Sequence, residues 1–275
     1  MHVQQIDDVS VIRDAVEIPG LGALPINAFV IRGEQPVLVD TGRPVKNGAF
    51  LEALGSVLDP ADIRWIWITH PDRDHMGALM DVLRLAPQAR LVTNYAAFGY
   101  MSVEFDIPLP RIYLLNPGQA LDVGDRKLQA FRPPLYDSPL TMGFYDSSTG
   151  TCISSDCFGG PMPTLDTANV DDLSEIDPAT VRAAQLMWAG VDSPWVCSAD
   201  PAKFAATYDH LGEFKPELVL STHLPPARGQ LDNLLDMLAE APQTTDFVGP
   251  DQATLEAMLA GAIPEQAAEK TPAGI

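Results

Sequence analysis

The run Trp65-Ile66-Trp67-Ile68-Thr69-His70-Pro71-Asp72-Arg73-Asp74-His75-Met76-Gly77 passes from an apolar strand pattern straight into four metal-capable side chains within six residues. The apolar residues read as a buried strand that stops at His70. An amphipathic helix pattern (Met76, Leu79, Met80, Val82, Leu83, Leu85) starts just after His75. Two histidines and two aspartates therefore sit where a buried strand ends, the place at which a rigid sheet can hold a site. In extended chain, residues two apart point the same way, so His70 and Asp72 can face one centre. Asp74 and His75, adjacent where the chain turns into the helix, can serve a second. A solvated acidic turn with two incidental histidines is the plainer account, and the density of ligands in so short a span weighs against it.

Composition bounds what surrounds this stretch. The chain has 275 residues and a 46% hydrophobic fraction, ample for a core and too apolar for disorder. No linker separates its parts, so one domain over residues 1–275 is expected, with a loose tail at about 262–275. No apolar run approaches the about 20 residues of a membrane span, and the N-terminus lacks a basic-then-apolar leader pattern, so a cytoplasmic protein is expected. Three cysteines, Cys152, Cys157 and Cys197, cannot form a paired framework, which fits a reducing compartment. A net charge of -20 argues against nucleic-acid partners, because phosphate binding needs a basic surface.

Along the chain, 9–18 and 26–40 read as strands, the latter broken by Arg32-Gly33-Glu34-Gln35 and ending in Asp40-Thr41-Gly42. A helix follows at 48–57. A strand at 90–93 and strand-like runs at 111–115, 119–123 and 127–132 come after the first site segment. The turn Asp146-Ser147-Ser148-Thr149-Gly150 separates two more, at 142–145 and 151–155. Helices are expected at 171–189, 200–211 and 229–240, around a last strand at 217–221. Strands with a few helices, then helices around one late strand, fit two sheets packed face to face with helices outside.

Three later strand exits carry further ligand types: Tyr136-Asp137-Ser138-Pro139, Ser155-Asp156-Cys157 and Thr222-His223-Leu224. Each alone is an ordinary β-to-loop exit. Taken in order with 65–77 they form a pattern that resembles the metallo-β-lactamase fold superfamily, from about Asn27 to Pro226. Asp40-Thr41-Gly42 is similar to its early aspartate motif, and His70-Pro71-Asp72-Arg73-Asp74-His75 to its His-x-x-x-Asp-His signature. Asp156 stands where that family has its bridging aspartate, and His223 where it has its last histidine. The resemblance implies an α/β fold, an αββα sandwich with a dinuclear metal site at one edge of the paired sheets.

Two departures direct the chemistry. Hydrolytic members read His-x-His-x-Asp-His, but the middle position here is Asp72. A carboxylate there is similar to the flavodiiron and stand-alone oxygen-binding di-iron branch, His-x-Glu-x-Asp-His, with Asp72 one methylene shorter. The mid-chain histidine is missing, and its Pro-containing context puts Asp137 in its place, with Tyr136 as the weaker stand-in. His2 lies at a terminus and His210 at a helix end favoured by the dipole, so neither replaces it. The resemblance thus implies His70, Asp72 and Asp137 on metal one, Asp74, His75 and His223 on metal two, and Asp156 between them. Asp74 and Tyr136 are the candidates for a catalytic role.

Three imidazoles and four carboxylates without a thiolate suit iron better than zinc, with manganese and zinc as the other options. Two cations also offset the mutual repulsion of so many carboxylates. Cys152 and Cys157 read as apolar filler at a strand end rather than redox thiols. Trp188, Trp195 and Tyr208 read as core aromatics or as the lining of a pocket over the metals. Arg73 reads as a solvated cation balancing its acidic neighbours. The expected function is a di-iron protein that binds or reduces a small molecule such as dioxygen, with electrons from a separate donor protein, since the chain has no room for a flavodoxin-like domain. The alternatives are a metal-dependent hydrolase of an ester, lactone or thioester, and a scaffold that has lost one metal.

Overall fold

The computed structural model describes residues 1–261, so the tail expected over 262–275 lies outside the described residues. The first sheet runs in chain order: β1 (His2–Ile6), β2 (Val9–Ile18), β3 (Gly22–Ile31), β4 (Val37–Val39), β5 (Trp65–Trp67), β6 (Arg90–Thr93) and β7 (Ile112–Leu114). The strands up to β4 pair antiparallel, and β4 to β7 are parallel. Parallel pairing requires crossovers, and these carry α1 (Asn47–Val57), α2 (Leu79–Leu85) and α3 (Tyr95–Met101).

The second sheet is built from β8 (Ala120–Asp122), β9 (Lys127–Phe131), β10 (Gly143–Asp146), β11 (Thr151–Ile153), β12 (Leu218–Leu220) and β13 (Ala227–Arg228), each beside the next. Here only β11 and β12 are parallel. Between them the chain makes α4 (Leu165–Ala168), α5 (Pro178–Asp192), α6 (Pro201–Ala205) and α7 (Asp209–Phe214), and α8 (Leu231–Glu240) and α9 (Gln252–Leu259) follow.

Side-chain alternation converts this order into four layers. In the strand that leads to the site, Trp65 and Trp67 face the second sheet, whereas Ile66 and Ile68 face the helices. Both faces of that strand are buried, which is why its sequence is continuously apolar instead of alternating. The layer between the sheets holds Val9, Phe29, Val39, Trp67 and Val92 against Leu121, Leu128, Phe144, Ile153 and Leu220. Phe50, Leu54, Leu79 and Val82 cover the outer face of the first sheet. Val181, Ala184, Leu234 and Leu238 cover that of the second, where Cys152 and Cys157 are packed as filler. Burial pushes both thiols above their ordinary range, so neither ionises readily. The expected sandwich is the observed one.

Several elements differ from the sequence expectations in extent. The helix expected at 171–189 starts at Pro178, because Asp177 caps it by accepting from the Thr180 amide and proline suits the first helical position. The expected 200–211 helix is two short ones, and the Thr207 hydroxyl donates to the Phe204 carbonyl where the first unwinds. Strand β1, polar in sequence, forms as an edge strand, and α3 forms behind an Asn94 cap that accepts from the Ala97 amide.

The sheets are stitched together at the end that carries the metal-capable residues. The Asn27 side chain donates to the Ser221 and Leu224 carbonyls at 3.0 and 2.8 Å, and its amide donates to Thr222 O at 2.8 Å. The Met142 amide donates to Thr69 O at 2.8 Å, and the Trp67 indole to Met142 O at 3.0 Å. Gly77 is squeezed where the site segment meets the loop after β4: its amide donates to Gly42 O at 2.7 Å. A Cβ there would come within 2.3 Å of both Gly42 O and Arg43 C. Gly77→Ala is therefore expected to cost about 1–3 kcal/mol through overpacking, read as a lower urea midpoint at unchanged m-value.

Candidate metal centre

All seven sequence-predicted ligands converge at the carboxyl ends of the parallel strands β4–β5 and β11–β12, the edge where open α/β sheets place ligands. Strand β5 delivers His70 and the loop behind it Asp72, Asp74 and His75. Strand β11 delivers Asp156 and β12 delivers His223, while the loop between β9 and β10 brings Asp137. Ligand atoms of His70, Asp72 and Asp137 lie within 4.8 Å of one another, as do those of Asp74, His75 and His223. These are the two ligand groups the sequence suggested.

Asp156 stands between the two groups with one oxygen toward each. Its Oδ2 is 3.4 Å from His70 Nε2, and its Oδ1 is 3.3 Å from His75 Nε2 and 3.4 Å from His223 Nε2. On the outer flanks, Asp74 carboxylate oxygens lie 3.7 Å from His75 Nε2 and 3.5 Å from His223 Nε2. Asp137 and Asp72 oxygens lie 3.8 and 4.0 Å from His70 Nε2.

These gaps exceed the about 2.7–2.9 Å of a charge-assisted hydrogen bond. They match donors that share a cation through bonds of about 2.0–2.2 Å. Among the described residues, His70 Nε2 and His75 Nε2 are buried with no hydrogen-bond partner. Such an atom is costly unless something binds it. The donor set therefore fits a pair of cations.

The other ring nitrogen of each histidine is held, which turns Nε2 inward. His75 Nδ1 donates to Asp40 Oδ2 at 2.9 Å, and His223 Nδ1 to the Pro25 carbonyl at 2.7 Å. His70 Nδ1 lies 3.2 Å from Ser155 Oγ. Asp40 also accepts from the Thr69 amide and hydroxyl, both at 2.8 Å, so one fully buried carboxylate fixes the strand exit and the second histidine together. Asp40 and Ser155 have φ of 57° and 55°. Left-handed backbone at non-glycine residues costs about 1–3 kcal/mol and persists where the surroundings enforce it.

Electrostatics in the metal-free cluster follow from this crowding. Burial opposes ionisation of Asp156, but His70, His223 and His75 outweigh it and hold the carboxyl well below its ordinary range. Burial likewise works against charged His75 and His223, yet Asp156 and Asp74 raise both, His223 to about 9. Asp74 is lowered by His75 and His223 against its own burial. Asp137 is raised by burial and by its neighbours Asp156 and Asp72.

Sequence reasoning missed Asp192, at the end of α5, whose carboxylate groups with those of Asp137 and Asp156. Burial and those two carboxylates push it up to about 8. Nothing in the local sequence marks it, since Asp192-Ser193-Pro194 reads as a helix stop. Trp188, one turn earlier, packs edge-on to His223 with ring centroids 5.5 Å apart, and its Nε1 is buried without a partner among the described residues. It belongs to the wall of the centre. Tyr136 is held by Trp195, 5.0 Å between ring centroids, and by the Arg132 guanidinium 5.4 Å above its ring. Tyr208 packs edge-on to Phe204, and Arg73 pairs with Glu104 at 3.0 Å on the surface.

An αββα sandwich with imidazoles and carboxylates gathered in two groups around one buried aspartate defines a metal-binding protein of the metallo-β-lactamase type. Residues 21–223 match the metallo-beta-lactamase superfamily, and the chain belongs to it. Its likenesses fall in the flavodiiron branch. It is 31% identical over 134 residues to diflavin flavoprotein A 2 of Nostoc sp., covering 48% of this chain and 23% of that one. The same identity over 134 residues relates it to the anaerobic nitric oxide reductase flavorubredoxin of Salmonella typhi, with 48% and 28% covered. The chain thus spans about a quarter of the length of these curated relatives. Rubredoxin oxygen:oxidoreductase of Desulfovibrio gigas superposes with a TM-score of 0.76 at 20% identity, covering 88% of this chain and 61% of that one, a likeness of fold.

Two outcomes are expected of this geometry. In chelator-stripped protein, His75 and His223 add stability that is complete below their unfolded value of about 6.5 and fades as pH rises through their folded values. Asp192 costs stability increasingly as pH rises from the carboxylate range toward about 8. Asp156 adds stability that is lost only as pH falls below the carboxylate range. The metal-free melting temperature should therefore drop between about pH 6 and about pH 9. Asp40→Asn should weaken metal binding about 10–100-fold, measured by competition with a chelator, because His75 loses the partner that orients it.

Proposed function

We propose that this chain holds a dinuclear iron centre and binds or reduces a small diatomic molecule, dioxygen or nitric oxide, with electrons delivered by a separate donor protein. The observation that carries the reading is the donor set: four carboxylates and three imidazoles, without a thiolate, split into two groups by Asp156. Oxygen-rich N/O sets suit iron or manganese, and four carboxylates neutralise two divalent ions. The likeness to a relative named as a nitric oxide reductase supports redox chemistry at such a centre.

His70, Asp72 and Asp137 would hold one ion, Asp74, His75 and His223 the other, and Asp156 both. Two ferrous ions held there would supply electrons and adjacent coordination positions for a diatomic molecule. The chain's own residues set access and surroundings. The Asp72 and Asp137 side chains are 50% and 29% exposed, whereas His70, His75 and His223 are buried. That contrast leaves the first group open to a small substrate and closes the strand side to water. The Trp188 indole N–H, beside His223 and without a partner among the described residues, is available to donate to whatever binds there. Asp74 joins the buried histidines to the outer flank and remains the first catalytic candidate, while Tyr136 closes the rim beside Asp137.

Anaerobic loading with ferrous iron should give two tightly held irons per chain. The loaded protein, supplied with a reduced electron carrier, should consume oxygen or nitric oxide, and Asp74→Ala should abolish the consumption. Clean zinc stoichiometry from a mixture of zinc, iron and manganese, with turnover of a generic ester, would overturn the reading in favour of a hydrolase.

A further inference from the structure

Helix α5 crosses the mouth of the centre unusually close to the loop that carries Asp156, because two consecutive glycines make room for it. A Cβ on Gly160 would lie 2.9 Å from the Ala184 carbonyl carbon, and one on Gly159 would lie 3.0 Å from Trp188 Nε1 and 2.8 Å from His223 Cβ. The buried Gln185 side chain pins the helix by donating to the Phe158 carbonyl at 2.8 Å. Residues four apart share a helix face, so the face that puts Trp188 against His223 puts Asp192 one turn on, beside Asp156 and Asp137. Their three carboxylate oxygens all lie within 4.8 Å of one another.

Asp192 is badly placed for stability. It is the last residue of α5, where the helix dipole disfavours a negative charge. It also faces two like charges, and the hydroxyl of the fully buried Ser193 is its one hydrogen-bond donor among the described residues, at 3.1 Å. A cation would relieve all of this. The two carboxylates that Asp192 faces also face His70 Nε2, which is buried and without a partner among the described residues, 3.4 Å from Asp156 and 3.8 Å from Asp137. The His70 group is also the looser one, with its outer carboxylates at 3.8 and 4.0 Å against 3.5 and 3.7 Å around Asp74. Asp72 and Asp137 are short side chains that approach His70 from farther out.

We propose that Asp192 is a further protein ligand of the ion held by His70, Asp72, Asp137 and Asp156, so that α5 closes the first half of the centre. This rests on the dinuclear reading above. The ligand comes from a helix between the two parallel strands of the second sheet, not from a strand exit. With one imidazole and three carboxylates against two and two, the first half is already the richer in oxygen, and Asp192 widens that difference between the two ions.

The test titrates ferrous iron anaerobically into chelator-stripped protein and into its Asp192→Asn and Asp192→Ser variants, following stoichiometry and affinity. The wild type should take up two irons. Both variants should keep one at wild-type affinity and bind the other at least about tenfold more weakly. Metal-free, both variants should melt at or above the wild-type temperature, because a crowded carboxylate has been removed. Two irons at wild-type affinity in either variant, or metal-free variants that melt lower than the wild type, would overturn the assignment and leave the dinuclear reading standing. Fewer than two irons in the wild type would overturn that reading and this assignment with it.

Discussion

Carboxylates and imidazoles buried together at the seam of two sheets are the constraint around which this protein is arranged. Asp156 is nearly inaccessible and faces three histidines at 3.3–3.4 Å, each distance too long for the bond the pair would make alone. Burying such groups is expensive, and the surrounding chain is organised to make the arrangement persist. Asp40 ties the β5 exit to His75, Pro25 turns His223, and the Thr222 hydroxyl donates to Asp156 at 2.6 Å. Left-handed backbone at Asp40 and Ser155 aims these groups where ordinary turns would not.

The sandwich explains how so small an area can be held so firmly. Short parallel strands from both sheets end at the same edge, and the stitches from Asn27, Trp67 and Met142 cross the seam next to the ligands. Rigidity is concentrated there, and looseness lies on the outside of the first ligand group, where Asp72 and Asp137 reach solvent. A buried, tightly braced half and a more open half are what a centre needs if a small molecule is to enter without the cluster coming apart. The wall contributed by α5 spans both halves, with Trp188 against His223 and Asp192 one turn on beside Asp137 and Asp156.

Much of this was legible from residue order because metal ligands in this fold sit at strand exits, and a strand exit is a local event. An apolar run ending in His, Asp or a small residue can be read without knowing where the strand lies, so His70 through His75 stood out as candidates from the chain alone, whereas Asp156 and His223 became candidates through the family resemblance. Asp137 became a candidate through the same resemblance, by the Pro-containing context that matches the missing histidine. The covering helices were readable in kind but not in extent, since caps such as Asp177 and a hydroxyl such as Thr207 decide where a turn of helix stops. Cys152 and Cys157 pack in the core as the filler expected of them, because free thiols in apolar surroundings behave as small apolar groups.

Residue order thus determined the layered architecture and which metal-capable side chains stand at strand exits, because hydrophobic period and side-chain chemistry are properties of short segments. Only the tertiary structure decided which ligand faces which, how each histidine is turned, and that a helix end brings Asp192 to the same corner. Those are consequences of long-range packing: Pro25 lies 198 residues from His223 and Asn27 lies 194 from Ser221, and no local pattern encodes a distance through space.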